Sequence, residues 1–302
     1  MSQESHEILS QVEELAAQAV RRVGRLLMDR FGSALTVEFK DRHRRDPVTE
    51  VDHQAQALLR EAIADRFPDH GILGEEDSEE EAQGDGGPLP EYLWVLDPLD
   101  GTRNFLAGLP LFACSVGVLH RGRPAAGALF VPWPGSAGAV LHARRGGGAY
   151  RDGRPLRLEA GELRPEALTG IPGSFPQLFR PRRRLRGRLG EPRMTGSVGF
   201  EMAMVACGVL QYMVTGRPRA WDVAGGAVIV AEAGGAVLTA EPAFPGRWRW
   251  RPLVGFVAPG DGAMGRLRRW AAPLLAGPPS VTEQVAQGLG RRRRLPLPRL
   301  PL

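Results

Sequence analysis

Two aspartates, Asp97 and Asp100, follow the apolar, β-prone run 92–96, and Gly101 and Thr102 come directly after them. Carboxylates this close repel each other unless a cation screens them. Hard divalent cations need clustered oxygen ligands, and Mg²⁺ keeps several waters and shares the phosphate oxygens of a substrate. Backbone N–H groups at the start of a helix bind anions. The segment therefore favours metal-assisted phosphoryl hydrolysis over simple turn chemistry.

Three further acidic segments could supply the remaining ligands. Each places carboxylates at the end of a predicted strand or the start of a predicted helix, where active sites of layered α/β proteins gather. They are Gly74–Asp77, Asp46–Asp52 and Trp221–Gly226. Taken alone, each has a plainer interpretation. Asp46, Thr49 and Asp222 suit helix N-caps, and the acidic run 75–81 suits a solvated surface.

Other catalytic signatures are missing from the sequence. It contains no Walker P-loop and no G-x-S-x-G. Its six histidines share no ligand spacing, which argues against a zinc site.

Composition indicates an ordinary soluble globular protein, with 43% hydrophobic and 24% charged residues in 302. The net charge of +5 comes almost wholly from arginine, because Lys40 is the only lysine. Arginine runs at 180–188 and 291–294 favour a solvated surface over nucleic-acid binding, since no aromatic residues interleave with them.

The compartment is predicted to be the cytoplasm. Two cysteines in apolar segments indicate free thiols rather than a disulfide scaffold. The polar, acidic N-terminus does not match a secretory signal. The longest apolar stretch, 198–214, is interrupted by Glu201 and Gln211 and favours a buried helix over a membrane span.

Hydrophobic periodicity predicts an α+β chain. Its predicted helices cover 6–31, 51–67, 199–213, 222–233 and 263–274. The predicted strands cover 35–39, 70–74, 114–120, 126–131, 139–143, 236–239 and 253–258, with a hairpin at Asp152-Gly153. We expect an N-terminal α+β lobe (1–155) with most of the metal ligands and a C-terminal α/β lobe (156–278) with Asp222 and the substrate-facing residues. A basic, proline-rich tail (279–302) is expected to be disordered.

With its four acidic segments in this order, the chain resembles the inositol monophosphatase family, within the lithium-sensitive, Mg²⁺-dependent sugar phosphatases. Asp-Pro-Leu-Asp-Gly-Thr at 97–102 is similar to the first family signature. Trp-Asp at 221–222 and the alanines and glycines after it are similar to the second, with Gly225 where the family more often has alanine. The resemblance covers roughly residues 8–275 and implies a layered αβαβα sandwich, often dimeric, so a homodimer is expected.

The resemblance also implies a metal site of two or three Mg²⁺ ions. By motif position, Glu75, Asp97 and the carbonyl of Leu99 would hold the first ion. Asp97, Asp100 and Asp222 would hold the second, and Glu75 would assist a weaker third ion through water.

Catalytic and phosphate-binding roles follow from the same resemblance. Asp52 and Thr102 would position and polarise the attacking water, and Glu76 would support the site. The amides of Gly101 and Thr102 would bind the phosphate. Lys40 falls on the loop that the family keeps near its metals.

The substrate is less well defined than the chemistry. Gln211 and Val214 fall near positions where inositol phosphatases have acids that bind sugar hydroxyls. Arg217 and Arg219 stand nearby and suit a second phosphate, a carboxylate or plain surface. The leading hypothesis is a Mg²⁺-dependent phosphomonoesterase for inositol monophosphate or a related small sugar or polyol phosphate.

Two groups of alternatives stay open. The rival substrates are fructose 1,6-bisphosphate, 3′-phosphoadenosine 5′-phosphate and histidinol phosphate. The rival class is a non-catalytic member that binds nucleic acid or protein.

Overall fold

The computed structural model describes residues 3–40, 47–78, 86–243 and 246–292. Within them the helices are α1 (Gln3–Arg30), α2 (Glu50–Arg66), α3 (Thr102–Leu106), α4 (Phe175–Leu178), α5 (Val198–Ala206), α6 (Ala220–Glu232), α7 (Ala263–Arg268) and α8 (Pro279–Gly288). The strands form one pair and two sheets.

The strand pair joins β1 (Val37–Phe39) to β2 (Pro47–Thr49). The first sheet has seven strands in sequence order: β3 (Gly71–Gly74), β4 (Tyr92–Asp100), β5 (Ala113–His120), β6 (Arg123–Val131), β7 (Ala139–Arg144), β8 (Gly148–Arg151) and β9 (Arg154–Leu156). Its strands are antiparallel except for β3 and β4.

The second sheet is mixed and has eight strands: β10 (Leu168–Gly170), β11 (Phe179–Pro181), β12 (Glu191–Arg193), β13 (Tyr212–Thr215), β14 (Ala236–Ala243), β15 (Arg247–Pro252), β16 (Leu274–Gly277) and β17 (Leu289–Arg291). Their order across the sheet is β11-β17-β15-β14-β16-β13-β10-β12.

Helices and sheets alternate in five layers. α1 and α2 cover one face of the first sheet, α5 and α6 lie between the sheets, and α8 covers the far face of the second sheet. Apolar side chains at helical spacing on α1, such as Val12, Ala16 and Val20, are fully buried in the outer core. The central core joins α5 and α6 to both sheets. The chain therefore has the predicted α+β fold, an αβαβα sandwich.

The register of β3 and β4 positions two of the predicted acids. The strands are parallel, and Gly74 pairs with Leu96. The next residues, Glu75 and Asp97, therefore emerge side by side, and Glu75 N donates to Leu96 O at 3.0 Å. A register shift between Asp97 and Asp100 in the pairing of β4 with β5 re-aims the strand end, as bulges beside active sites do.

Some predicted elements of the C-terminal half are wrong. The helix predicted for 199–213 ends at Ala206, because Gly208 takes a φ of +71° and the β-prone residues 212–215 join the second sheet. Residues 253–258 form no strand; the strand is β15, whose alternating arginines and tryptophans have the period of a half-exposed sheet. The helix predicted for 263–274 ends at Arg268.

The prediction of a disordered tail from residue 279 is wrong for residues 279–292. α8 begins with Pro279 in its first turn and buries Val281 and Val285, and the following strand buries Leu289. Val281 and Val285 stand four apart on the helix, so they form one apolar stripe, and Leu289 joins the same core cluster. Residues 293–302 lie outside the described residues, as do Asp46 and Glu79–Glu81.

The division into lobes at residues 155 and 156 stays a prediction. None of the described helices combines the length and apolarity needed to cross a bilayer.

Candidate active site

Three carboxylates from separate parts of the chain converge. One oxygen each of Glu75, Asp97 and Asp222 lies within 4.8 Å of the others. Glu75 follows β3, Asp97 lies on β4 and Asp222 stands in the first turn of α6. Asp97 is buried and the other two are half-buried. The structure thus brings together acids that are up to 147 positions apart in the sequence.

Each of two aspartates in this acidic cluster has one oxygen fixed by a backbone amide. Leu99 N donates to Asp97 Oδ1 at 3.2 Å, and Arg219 N donates to Asp222 Oδ2 at 2.7 Å. Asp97 Oδ2 is buried without a hydrogen-bond partner among the described residues. A buried acceptor left unpaired is costly. A hard divalent cation satisfies such an oxygen, so this donor set fits Mg²⁺.

The electrostatics lead to the same conclusion. Burial raises the pKa of Asp97 well above its usual range, and repulsion from Glu75, Asp100 and Asp222 adds to the effect. Burial likewise raises the pKa of Asp222, followed by repulsion from Asp100 and Glu75. Lys40 and Arg219 oppose these shifts without cancelling them, and a bound divalent cation would hold these carboxyls ionised.

Asp100 borders the cluster but is not one of the three converging residues. Its Oδ2 accepts hydrogen bonds from the Ser197 hydroxyl and from Gly199 N. Burial raises the pKa of Asp100 to about 7 despite these two donors. Ser197 was not among the predicted site residues. Its position before the apolar helix α5, typical of an N-cap, was the available signal.

Lys40 forms ion pairs at the rim of the cluster. Its Nζ lies 2.8 Å from Glu75 Oε1 and 2.6 Å from Glu76 Oε1. Burial on its own lowers the pKa of Lys40, but the two carboxylates outweigh it and raise the pKa above its ordinary value. Burial raises the pKa of Glu76 to about 7, although Lys40 opposes the shift. The substrate-binding role of Lys40 stays a prediction.

Asp52 contacts both the N-cap of α2 and the Thr102 hydroxyl. Its Oδ2 accepts from the backbone N–H and the hydroxyl of Thr49, closing the capping box of α2. Its Oδ1 lies 3.2 Å from Thr102 Oγ1, which also lies 3.0 Å from the Leu99 carbonyl. Burial raises the pKa of Asp52. Thr49 is thus the N-cap, as its residue type suggested, and the catalytic role of Asp52 stays a prediction.

The turn between β4 and α3 requires glycine. Gly101 has a φ of +92°, and a Cβ there would meet Leu111 O at 3.0 Å. Asn104 fixes the turn by donating to the carbonyls of Leu111 and Thr195 at 2.6 and 2.7 Å. The amides of Gly101 and Thr102 thus stand on a rigid turn, and their phosphate-binding role stays a prediction.

Asp77 belongs to the acidic segment Gly74–Asp77, which was expected to supply ligands, but it is not one of the converging acids. Its buried carboxylate pairs with Arg60 and Arg268, each at 3.1 Å, and accepts from Gly74 N at 2.9 Å. These contacts fix the turn that carries Glu75 and Glu76. Its position in an acidic run that suited solvent concealed it.

Arg217 and Arg219 are predicted to bind substrate, whereas Gln211 and Val214 only fall near the family's sugar-binding positions. The four residues lie in different settings. Gln211 is committed to Arg164, whose backbone N–H and carbonyl it binds at 3.0 and 2.7 Å, and Val214 is buried in β13. The Arg219 guanidinium lies over the Trp221 ring and 3.4 Å from the Arg269 carbonyl. Arg217 is exposed on a cavity that none of the clustered acids lines. Substrate binding by Arg217 and Arg219 stays a prediction.

The chain is similar to several known proteins. A curated protein of Aquifex aeolicus named fructose-1,6-bisphosphatase/inositol-1-monophosphatase is 32% identical over 247 residues, which are 78% of this chain and 89% of that protein. The Nus factor SuhB of Pseudomonas aeruginosa is 33% identical over 234 residues, 74% of this chain and 83% of its own. The solved structure of a Thermotoga maritima IMPase superposes with a TM-score of 0.68 at 26% identity, covering 91% of this chain and 94% of that one.

The profile of the inositol monophosphatase family matches residues 8–269, which include every acid of the site. Together with the relatives above 30% identity, this match shows that the chain belongs to the inositol monophosphatase family.

Proposed function

We propose that this protein is a Mg²⁺-dependent phosphomonoesterase that hydrolyses inositol monophosphate or a related small sugar or polyol phosphate. One observation carries the proposal. Carboxylate oxygens of Glu75, Asp97 and Asp222 meet within 4.8 Å, and Asp97 Oδ2 is buried there without a partner among the described residues. Buried acids in this arrangement are expensive unless they bind a cation.

Glu75, Asp97 and Asp222 would hold Mg²⁺, with Asp100 and the Leu99 carbonyl as further oxygen ligands at the border of the cluster. Bound Mg²⁺ supplies positive charge to the phosphate oxygens and lowers the pKa of water. Two or three ions are proposed, as the family resemblance implies.

The chain's own residues would orient the attacking water. When the Thr102 hydroxyl donates to Asp52, its oxygen is left to accept a hydrogen bond from a water molecule. Because the water donates this hydrogen bond, a lone pair on its oxygen is free to face the phosphorus. Asp52 is itself held by Thr49, so the water would meet a fixed acceptor rather than a mobile one. The Gly101 and Thr102 amides would bind the phosphate oxygens.

Hydrolysis of a substrate panel tests the proposal. Purified protein is assayed for phosphate release from inositol monophosphate, fructose 1,6-bisphosphate, 3′-phosphoadenosine 5′-phosphate and histidinol phosphate, with Mg²⁺ and with EDTA. We expect Mg²⁺-dependent release that Asp97→Asn abolishes, while Asp65→Asn on the exposed side of α2 leaves it unchanged. Activity that persists in EDTA or in Asp97→Asn would contradict the metal mechanism.

A second candidate is favoured by the relatives named Nus factor SuhB. A non-catalytic binding member would show salt-dependent binding to RNA or protein that survives Asp97→Asn, with no phosphate release from any ester. We also propose that the protein is a homodimer and that it is located in the cytoplasm. Sedimentation tests the first proposal and cell fractionation tests the second.

A further inference from the structure

A cavity of about 800 Å³ opens at one end of the second sheet. β13 and β14 end there, and β15 and β16, which run antiparallel to them, begin there. We propose that this cavity binds a small organic anion that carries a flat apolar ring. Its volume lies in the range of small-molecule sites, roughly 300–1,000 Å³.

The walls of the cavity are largely apolar. Leu178, Ala240, Ala271 and Pro273 contribute aliphatic surface, and Trp248 contributes an indole ring. Phe179 packs against Trp248 with ring centroids 5.8 Å apart, so the indole is held in place. An aromatic wall of this kind accepts a flat group by offset stacking or edge-to-face contact.

Arginines supply the charge. Arg217, Arg291 and Arg292 line the cavity, and none of the three forms an ion pair with an acid in the described part of the chain. The Arg291 guanidinium lies 5.7 Å from the centroid of the Trp248 ring. Glu241, the acid in the lining, already pairs with Arg249 and Arg251 at 3.2 and 2.7 Å. The cavity therefore has an excess of positive charge beside its aromatic wall.

Guanidinium groups bind phosphate and carboxylate through paired N–H donors. An uncharged ring would leave the arginines without an anion, and a bare anion would leave the apolar walls in water. The surroundings thus select a molecule with both features.

This cavity is distinct from the acidic cluster. None of Glu75, Asp97, Asp100 and Asp222 lines it. Binding there should therefore require no metal ion, and the proposal stands or falls independently of the phosphatase activity.

The experiment measures binding by isothermal titration calorimetry to the full-length protein in EDTA, which prevents turnover. The probes are 1-naphthyl phosphate, 1-naphthol and inorganic phosphate, which carry ring and charge, ring alone and charge alone. We expect saturable binding of 1-naphthyl phosphate at one site per chain. The other two probes should bind at least about tenfold more weakly.

Two variants remove different features of the site. Arg217→Gln should weaken 1-naphthyl phosphate binding by about tenfold, because a charge-assisted contact is lost. Ala271→Leu should weaken it by filling the cavity without changing the charge. Arg25→Gln is the matched control, because Arg25 is exposed on α1, which packs on the first sheet, and does not line the cavity.

The proposal is overturned by any of three results. These are the absence of saturable 1-naphthyl phosphate binding at millimolar concentrations, equal affinity for 1-naphthol, and equal effects of Arg217→Gln and Arg25→Gln. Thermal melting of each variant confirms folding before binding is compared.

Discussion

The Ser197 hydroxyl donates a hydrogen bond to Asp100 Oδ2 across 2.7 Å, and Ser197 Oγ accepts a hydrogen bond from Phe200 N at 3.2 Å. A single side chain therefore caps the central helix α5 and orients an acid at the end of β4. The link connects the layer between the sheets to the strand that carries Asp97. Stability and the geometry of the acidic cluster should consequently change together when Ser197 is replaced.

Replacing Ser197 with alanine removes both hydrogen bonds. We expect the free energy of unfolding to fall by about 1–2 kcal/mol, from the lost cap and the lost donor to a buried carboxyl. Phosphatase activity should fall about tenfold, as when the outer partner of a metal ligand is removed. Urea denaturation and steady-state assays measure the two effects. Ser197→Thr keeps the hydroxyl and should retain most of the stability and most of the activity. Equal losses of stability and activity in the two variants would contradict this account.

Asp97→Asn should stabilise the protein when metal is absent. The neutral amide removes a charge that burial and three neighbouring acids disfavour. In EDTA we expect the melting temperature to rise by about 2 °C or more. In Mg²⁺ the unmodified protein should have the higher melting temperature, because only it gains the free energy of ion binding. Thermal melts in both buffers measure this, with Asp65→Asn as control. A variant that is less stable in EDTA would show that the acids do not repel each other as described.

Val285→Ala tests whether α8 belongs to the fold. Val285 is fully buried against the second sheet, so its truncation should cost about 2 kcal/mol. Glu283 on the same helix is exposed, and Glu283→Ala should cost less than about 0.5 kcal/mol. The midpoints of urea denaturation measure the loss of stability in each variant. Equal and negligible costs would mean that the helix contributes nothing to stability.

Local sequence indicated a metal site at Asp97 and Asp100, because two acids and a Gly-Thr pair come after an apolar run. Glu75 and Asp222 were assigned to the same cluster only through the family resemblance. Parallel pairing of β3 with β4 places Glu75 beside Asp97, and no short-range pattern connects α6 to β4.

Other features depend on contacts between distant residues. Asp77 had the appearance of a surface acid, yet it pairs with Arg268 across 191 positions. The end of α5 at Ala206 was missed because the apolar composition continues into β13, where tertiary pairing rather than propensity selects the strand.

The buried carboxyl of Glu201 should make stability depend on pH. Burial raises its pKa from 4.5 to about 7, a shift that hydrogen bonds from Thr195 oppose and repulsion from Asp100 increases. Below pH 4.5 the carboxyl is protonated in both the folded and the unfolded state, so it contributes no pH dependence. As pH rises from 4.5 to 7, the unfolded state loses this proton first, and the folded state becomes less stable.

Glu201→Gln replaces the carboxyl with a group that stays neutral and still accepts from Thr195. The stability difference between this variant and the unmodified protein should be flat below pH 4.5 and should grow by about 3 kcal/mol in favour of the variant by pH 8. Urea denaturation in EDTA across this range measures the difference. Titration of other acids occurs in both proteins and largely cancels, and Glu241→Gln, at an exposed acid, is the control. A difference that does not change with pH would mean that Glu201 is ionised in the fold, with a cation close enough to hold it so.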